Sequence, residues 1–327
     1  MNRKGYLDGK IILVTGGTGT FGRAFVARIL KNKKVVKVIV LSRDEFKQNE
    51  MSRDFQDKRL NFFLGDVRDL SRLERAFSGV DVVIHAAALK QVPATEYNPL
   101  EAVKTNINGT QNVVDAALNR GVDKVLFVSS DKAVEPINLY GATKLVAERL
   151  TVASNAYRGQ GNTKLSVVRY GNVIGSRGSV IELVEKQRAT GSVTLTDERM
   201  TRFWIHIQDV MEIVINILDC MEGGEIFIPK MKSLRVVDVL KTLAPECKLN
   251  VIGIRPGEKL HEKLLTKHES GRTRDLDTMF AILPEFVSWA TKDSFRKKKP
   301  FPVESIYSSD SGDFLLPAKE VNKILKI

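Results

Sequence analysis

The chain has 327 residues, of which 43% are hydrophobic and 28% charged, and its formal net charge is +12. That length suits one large domain or two intimate ones, and no apolar run, such as the one around 81–89, is long enough to span a bilayer. Cys220 and Cys247 form no CxxC and suit a reducing cytoplasm, and the spread-out basic residues (Arg296–Lys299 is the one cluster) carry no nucleic-acid motif, so the charge points to a solvated surface or to anionic small molecules.

The opening MNRKGYLDGKIILVTGG reads as the approach to a first strand, because no small-residue cleavage site of a signal peptide follows its apolar run. KIILVT, 10–15, is a β-branched run suited to a strand covered on both faces. A helix is predicted from 21 to 30, and strands at 36–41 and 60–64. Asp69 can cap a helix ending near Phe77. A strand at 82–86, a long helix at 99–120, a strand at 124–129, a helix at 138–157 and a strand at 164–170 complete the alternation. That order predicts an α/β fold with a doubly wound parallel sheet. From about 172 the segments shorten, so residues 1–171 are expected to form the main nucleotide-binding domain. Residues 172–327 are expected to form a smaller mixed α/β part intertwined with it. The polar stretch 291–312 is expected to be loose.

TGGTGTFG, 15–22, sets Gly16, Gly19 and Gly22 as GxxGxxG between a strand and a helix, with Thr18, Thr20 and Phe21 between and beside them. The glycines permit a tight turn and close backbone approach to a pyrophosphate, and the helix N-terminus favours an anion. At the end of the second strand Ser42, Arg43 and Lys47 offer hydrogen bonds and positive charge for a 2′-phosphate, which favours NADP over NAD, although Asp44 and Glu45 lie among them. Asp66 and Val67 are placed near the adenine. Ala86 and Ala87, after the fourth strand, leave room for cofactor against backbone.

The stretch VSSDKAVEPINLYGATK, 128–144, carries two proton-handling pairs. Tyr140 and Lys144 share one helical face. The ammonium is expected to lower the phenol's pKa, so that Tyr140 can take a hydroxyl proton while a hydride leaves. Asp131 and Lys132 follow Ser129 and Ser130 at the end of the fifth strand.

GxxGxxG followed by a strand-end serine and YxxxK resembles the extended short-chain dehydrogenase/reductases that modify nucleotide sugars, a Rossmann-fold family. SSDKAVEPINLYGATK, SRDEFKQ, HAAALKQVPATEYNPLEAVKTNINGTQNV, VVRYGNVIGSRGSV, MTRFWI, GEIFIPK and IGIRPGEKLHE are similar to the soluble UDP-N-acetylglucosamine 4,6-dehydratases that begin pseudaminic-acid synthesis, within the polysaccharide biosynthesis proteins. The resemblance covers roughly 10–270 and leaves the last sixty residues unassigned. It implies a cytoplasmic, homo-oligomeric lyase that recycles tightly bound NADP. Tyr140, with Lys144 and Ser130, would take the 4-hydroxyl proton; Lys132, made neutral by a lowered pKa, would abstract the C5 proton; Asp131 would protonate the leaving 6-hydroxyl.

The resemblance also implies a UDP-sugar grip in the C-terminal part. Arg177, Arg202 and Arg255 would meet the diphosphate, Glu258 the uridine ribose, and Thr196 and Met200 the uracil. Lys90, Asn172 and Ser179 would face the sugar or its pyrophosphate. His85 and His261 are isolated, and no metal is expected. Membrane-attached dehydratases that retain C5 have Met where this chain has Tyr140, which favours inversion. A retaining dehydratase, a dehydratase of another nucleotide sugar, a 4-epimerase (which would need no Asp131–Lys132 pair) and a non-catalytic NADP sensor are the alternatives.

Overall fold

The computed structural model describes residues 5–159, 161–176, 179–285 and 294–325. The chain opens with β1 (Ile11–Thr15), α1 (Thr20–Leu30), β2 (Lys37–Ser42), α2 (Glu45–Asp54), β3 (Leu60–Leu64), α3 (Leu70–Ala76) and β4 (Val82–His85). It continues through α4 (Val92–Tyr97), α5 (Pro99–Ala102), α6 (Gly109–Arg120), β5 (Lys124–Ser130), α7 (Leu139–Ala153) and β6 (Lys164–Tyr170). The C-terminal half adds β7 (Asn172–Ile174), α8 (Val180–Arg188), β8 (Ser192–Leu195), β9 (Thr201–His206), α9 (Ile207–Cys220), β10 (Ile226–Pro229), β11 (Lys232–Arg235) and α10 (Val236–Leu243). Last come β12 (Lys248–Val251), β13 (Lys263–Leu265), α11 (Lys267–Ser270), β14 (Thr273–Asp275), β15 (Met279–Ile282), β16 (Tyr307–Ser308) and α12 (Val321–Leu325).

Nine strands form the main sheet in the order β14-β15-β10-β6-β5-β4-β1-β2-β3. From β10 to β3 the pairings are parallel, while β15 runs antiparallel to both β10 and β14. The near-continuous apolar strands follow from burial on both faces. Because side chains alternate along a strand, Ile12, Val14, Val38 and Val40 enter one core with Phe25 and Ile29 of α1. Leu13, Ile39 and Leu41 enter the other core, with Phe77 and Val113. Strand order reverses between β1 and β4, which opens a crevice at their C-terminal ends.

Three strands from beyond residue 171, namely β10, β14 and β15, complete this sheet, so the sheet does not end at that boundary. The smaller C-terminal part holds a three-stranded sheet, β11-β9-β7, and the two-stranded pairs β12-β8 and β13-β16. The stretch expected to be loose is packed where it is described. Tyr307 is fully buried, donates to the Met231 carbonyl at 2.7 Å and meets Phe203 edge-on at 4.8 Å, and Phe301 packs on Phe280 at 5.0 Å. Its aromatic residues outweigh the surrounding polar ones; residues 291–293 lie outside the described residues.

The helix predicted over 99–120 is interrupted by a π-helical turn at Val103–Asn108. Tertiary hydrogen bonds hold that turn: Asn106 accepts from the Leu89 N–H at 2.8 Å and donates to the Leu89 carbonyl at 2.9 Å and Thr143 Oγ1 at 3.0 Å. The widened turn thereby joins the loop after β4 to α7, as such turns often do beside functional sites.

A buried ion triad fixes α7 against the sheet. Arg169 of β6 donates to both Glu148 carboxylate oxygens, at 3.0 and 2.6 Å, and to Glu269 of α11, at 3.1 and 3.2 Å. Glu269 also closes a capping box with Thr266. Substituting Arg169→Met would leave two buried carboxylates without their cation. We expect it to destabilise the protein by about 3–5 kcal/mol, read from chemical unfolding; a loss below about 1 kcal/mol would contradict this account.

Candidate active site

The crevice deepens into a cavity of about 770 Å³. Gly16 leaves β1 with φ +65°, and a Cβ there would lie 2.8 Å from the Ala87 backbone, so the loops after β1 and β4 touch directly. His85 locks the same junction from beneath. Thr110 Oγ1 donates to the Asn106 carbonyl at 2.7 Å and so accepts from His85 Nε2 at 3.0 Å, which leaves His85 Nδ1 to accept from Thr15 Oγ1 at 2.7 Å. Burial, then the Lys144 ammonium, push the His85 pKa down to about 3, so the ring stays neutral.

Every residue predicted to bind the cofactor lines this cavity: Gly16, Thr18, Gly19, Thr20, Phe21 and Gly22 on the first loop; Ser42, Arg43 and Lys47 after β2; Asp66 and Val67 after β3; Ala86 and Ala87 after β4; and Tyr140 and Lys144 of α7. At its far end Asp44 caps α2 by accepting from Lys47 N–H at 3.0 Å, and it meets Lys47 Nζ at 2.6 Å. Its carboxylate is thus turned to the helix. Arg43 lies 3.6 Å from Asp66 and stays half exposed at the cavity rim.

The catalytic stretch is a strand end, one tight turn and a helix start. Ser130 accepts from the Lys132 N–H at 3.1 Å and donates to Asp131 Oδ1 at 2.9 Å. Asn138 caps α7 by accepting from the Gly141 N–H at 2.7 Å. A Cβ on Gly141 would fall 2.2 Å from the Lys132 carbonyl, so only glycine lets α7 lie this close to the turn. That approach gathers Ser130, Asp131, Lys132 and Tyr140 around one end of the cavity.

The charges in the site differ from expectation in two respects. Lys132 Nζ lies 3.1 Å from Asp131 and 3.6 Å from Glu262. Burial disfavours its charge, yet these two carboxylates outweigh burial, and Lys132 is held above the ordinary lysine value instead of below it. The Tyr140 phenol is raised, not lowered: burial dominates, while the Lys132 ammonium and a hydrogen bond with Ser130 only oppose it. Lys144 is bonded to the end of β5. Its Nζ donates to the Val128 carbonyl at 2.8 Å and sits 4.4 Å over the Phe127 ring, and burial lowers its pKa to about 8 against the pull of Glu148.

Of the residues predicted to hold substrate, Lys90, Asn172 and Ser179 line the cavity. Arg202 is committed elsewhere: it donates to the carbonyls of Thr201, Leu260 and Lys259 at 2.7, 3.1 and 2.9 Å, which spends a buried guanidinium on the loop before β13. Met200 packs in the apolar cluster of α8, β8 and α10. Thr196, Arg255 and Glu258 do not line the cavity, and Arg177 lies outside the described residues.

Sequence reasoning missed Thr105, Ser129 and Trp204. Each lines the cavity, and their Oγ1, Oγ and Nε1 atoms are sealed from solvent with no hydrogen-bond partner, as is Asp131 Oδ2. The polar side chains and small residues that line the cavity fit a polar ligand. Thr105, Ser129 and Trp204 lie inside quoted motifs, but only the fold turns them inward. No group of three or more His, Cys, Asp or Glu among the described residues is arranged to hold a metal. None of the described helices is long and apolar enough to cross a membrane.

Substituting Gly141→Ala tests the close approach that assembles this end. We expect a loss of about 1–3 kcal/mol in unfolding free energy, from overpacking against backbone that cannot yield. A variant as stable as the parent would show that the turn moves freely.

A family model described as polysaccharide biosynthesis protein matches residues 12–284. The chain is 50% identical to the UDP-N-acetylglucosamine 4,6-dehydratase (inverting) of Campylobacter jejuni strain 81-176, over 85% of this chain and 84% of that protein. It is 41% identical to the UDP-glucose 4-epimerase of Rickettsia felis, over 84% and 82%. Among solved structures, Pen from Bacillus thuringiensis is 37% identical with a TM-score of 0.91, covering 98% of both chains. A Thermus thermophilus UDP-glucose 4-epimerase in complex with NAD is 26% identical with a TM-score of 0.64, covering 76% of this chain and 88% of that one.

Proposed function

The chain belongs to the polysaccharide biosynthesis protein family, and from that premise we propose that it is a UDP-N-acetylglucosamine 4,6-dehydratase that inverts C5. The observation that carries the reading is the pair formed by the buried Asp131 and the partly exposed Lys132, facing the same cavity as Tyr140. An epimerase needs one proton shuttle at the 4-hydroxyl; a dehydratase needs that shuttle and, beside it, a base for C5 and an acid for the 6-hydroxyl. The Rickettsia relative favours an epimerase as the second reading.

The 16–22 loop with Ser42, Arg43 and Lys47 would hold a nicotinamide dinucleotide, which would supply a hydride acceptor for C4 and a hydride donor for C6. Tyr140, in its ionised form, takes the 4-hydroxyl proton; the Lys132 ammonium and the Ser130 hydrogen bond favour that form against burial. Oxidation at C4 acidifies the C5 proton. The free site holds Lys132 charged, which is the wrong state for a base. Moving one proton along the 3.1 Å contact to Asp131 makes the neutral base and the protonated acid together, without changing the charge of the site. Lys132 then takes the C5 proton, and Asp131 protonates the departing 6-hydroxyl as water forms. Substrate that excludes water from the cavity favours this neutral pair.

The same reading takes the cofactor as NADP, the enzyme as cytoplasmic and homo-oligomeric, and its product as a precursor for pseudaminic acid. The positive charge of Arg43 at the cavity rim supports NADP, while Asp44, which also lines the cavity, is paired with Lys47 and caps α2. Substituting Arg43→Ala should weaken NADPH binding about 10–100-fold, the size of a lost charge-assisted contact, and NADH binding less than about threefold. Equal losses for both, measured by fluorescence titration, would remove the basis for NADP.

The activity is tested by NMR of purified protein with UDP-N-acetylglucosamine in deuterated water. The expected product shows a C6 methyl, deuterium at C5 and L-configured couplings. A methyl with D-configured couplings would leave a dehydratase but reject inversion, and UDP-N-acetylgalactosamine without any methyl would establish the epimerase.

A further inference from the structure

Glu262 is a second carboxylate beside Lys132. It lies in the segment before β13, 130 positions further along the chain, and its side chain is 3% exposed. Oε1 lies 3.6 Å from Lys132 Nζ and 3.8 Å from Arg202 Nε, while Oε2 lies 3.8 Å from Lys259 Nζ and accepts no hydrogen bond. The backbone on either side of this carboxylate is clamped. The Glu262 N–H donates to Ser309 Oγ at 2.8 Å, the Glu262 carbonyl accepts from Ser309 N–H at 2.8 Å, and Ser309 Oγ is bonded to Thr201 Oγ1 at 2.7 Å.

One carboxylate suffices to neutralise one ammonium, and Asp131 already lies at 3.1 Å. The second, Glu262, is buried among three cations, Lys132, Arg202 and Lys259, and so holds its charge where Lys132 lies. We propose that Glu262 is a positioning residue for the reaction: it fixes Lys132 Nζ between two carboxylates and stabilises the ammonium that forms when Lys132 takes a proton from substrate.

This rests on the reading of Lys132 as the C5 base. In that step the C5–H bond breaks and an N–H bond forms. The C5 electron pair forms the C5=C6 double bond as the C6–O bond breaks, and the 6-hydroxyl leaves as water with the Asp131 proton. Positive charge therefore appears on Lys132 while Asp131 regains its negative charge. The Glu262 carboxylate faces the ammonium at both ends of the step. The other groups acting here are Arg202 and Lys259, which are cations beside Glu262, Lys90, a cation that repels Lys132, and Tyr140, which Lys132 favours in its ionised form.

Substituting Glu262→Gln keeps the volume and removes the charge. Lys132 then becomes a weaker base, and its titration moves to lower pH by about one unit or more, as expected for an opposite charge lost within ~4 Å. Because the base works in its neutral form, the acid limb of kcat/KM should move to lower pH, and the plateau should fall about tenfold. The same titration is read without turnover from lysine labelled with 13C at Cε. The Lys132 resonance is assigned by its absence in Lys132→Arg, and it should remain charged to higher pH in the parent than in E262Q. Glu262→Asp, which withdraws the charge by one methylene, should shift it the same way by less, and it serves if E262Q does not fold. If the resonance titrates identically in parent and variant, the proposal is overturned whatever the enzyme's substrate. If it shifts while the parent makes no methyl product, the link between Glu262 and Lys132 stands and the dehydratase reading falls.

Discussion

The Arg169–Glu148–Glu269 triad is the constraint on which the rest of the structure depends. It sits where a sheet strand, the helix bearing Tyr140 and Lys144, and the C-terminal segment meet, with almost no access to water. A buried guanidinium tolerates no empty position among its partners, because each lost partner leaves a charge without compensation. The triad therefore holds three distant segments in one arrangement. Glu148 lies one helical turn beyond Lys144, so the position of α7 along the sheet, and with it the position of Tyr140, follows from that ion cluster.

A second set of contacts brings the C-terminal segment onto the catalytic turn. Asn138 donates to the Gly257 carbonyl at 2.7 Å, Lys259 donates to the Val134 carbonyl at 2.5 Å, and Lys263 pairs with Glu135 at 2.7 Å. Each joins the 257–263 segment to 134–138. The site is thus roofed by residues more than a hundred positions away. Burial raises the Tyr140 phenol and lowers Lys144. Lys132 departs from simple burial because the same roof delivers Glu262 to it.

Much of the site could be read from residue order. The glycine loop, the Ser42–Arg43–Lys47 group, the alanines after β4 and the pairs Asp131–Lys132 and Tyr140–Lys144 all face one cavity, because each sits at the C-terminal end of a parallel strand or at the helix start that follows. The C-terminal part was less legible. Arg202 was expected to meet a diphosphate, yet three carbonyls claim its guanidinium. A guanidinium in a loop looks the same in sequence whether it meets a ligand or a turn of backbone. The stretch near 300 looked loose because polar residues outnumber Phe301 and Tyr307, although those two rings are what pack.

The sequence by itself determined the doubly wound sheet, since β-branched runs alternating with amphipathic helices and punctuated by Gly and Asp caps admit little else. It also determined which side chains carry the chemistry. The tertiary structure alone decided their company: that Lys132 is flanked by a second carboxylate, that Lys144 bonds to the Val128 carbonyl, and that Thr105 lies on a π-helical turn. The physical reason is range. Local order is set by contacts three or four residues apart, whereas a pKa is set by every charge and every loss of water within several ångströms, and those arrive from anywhere along the chain.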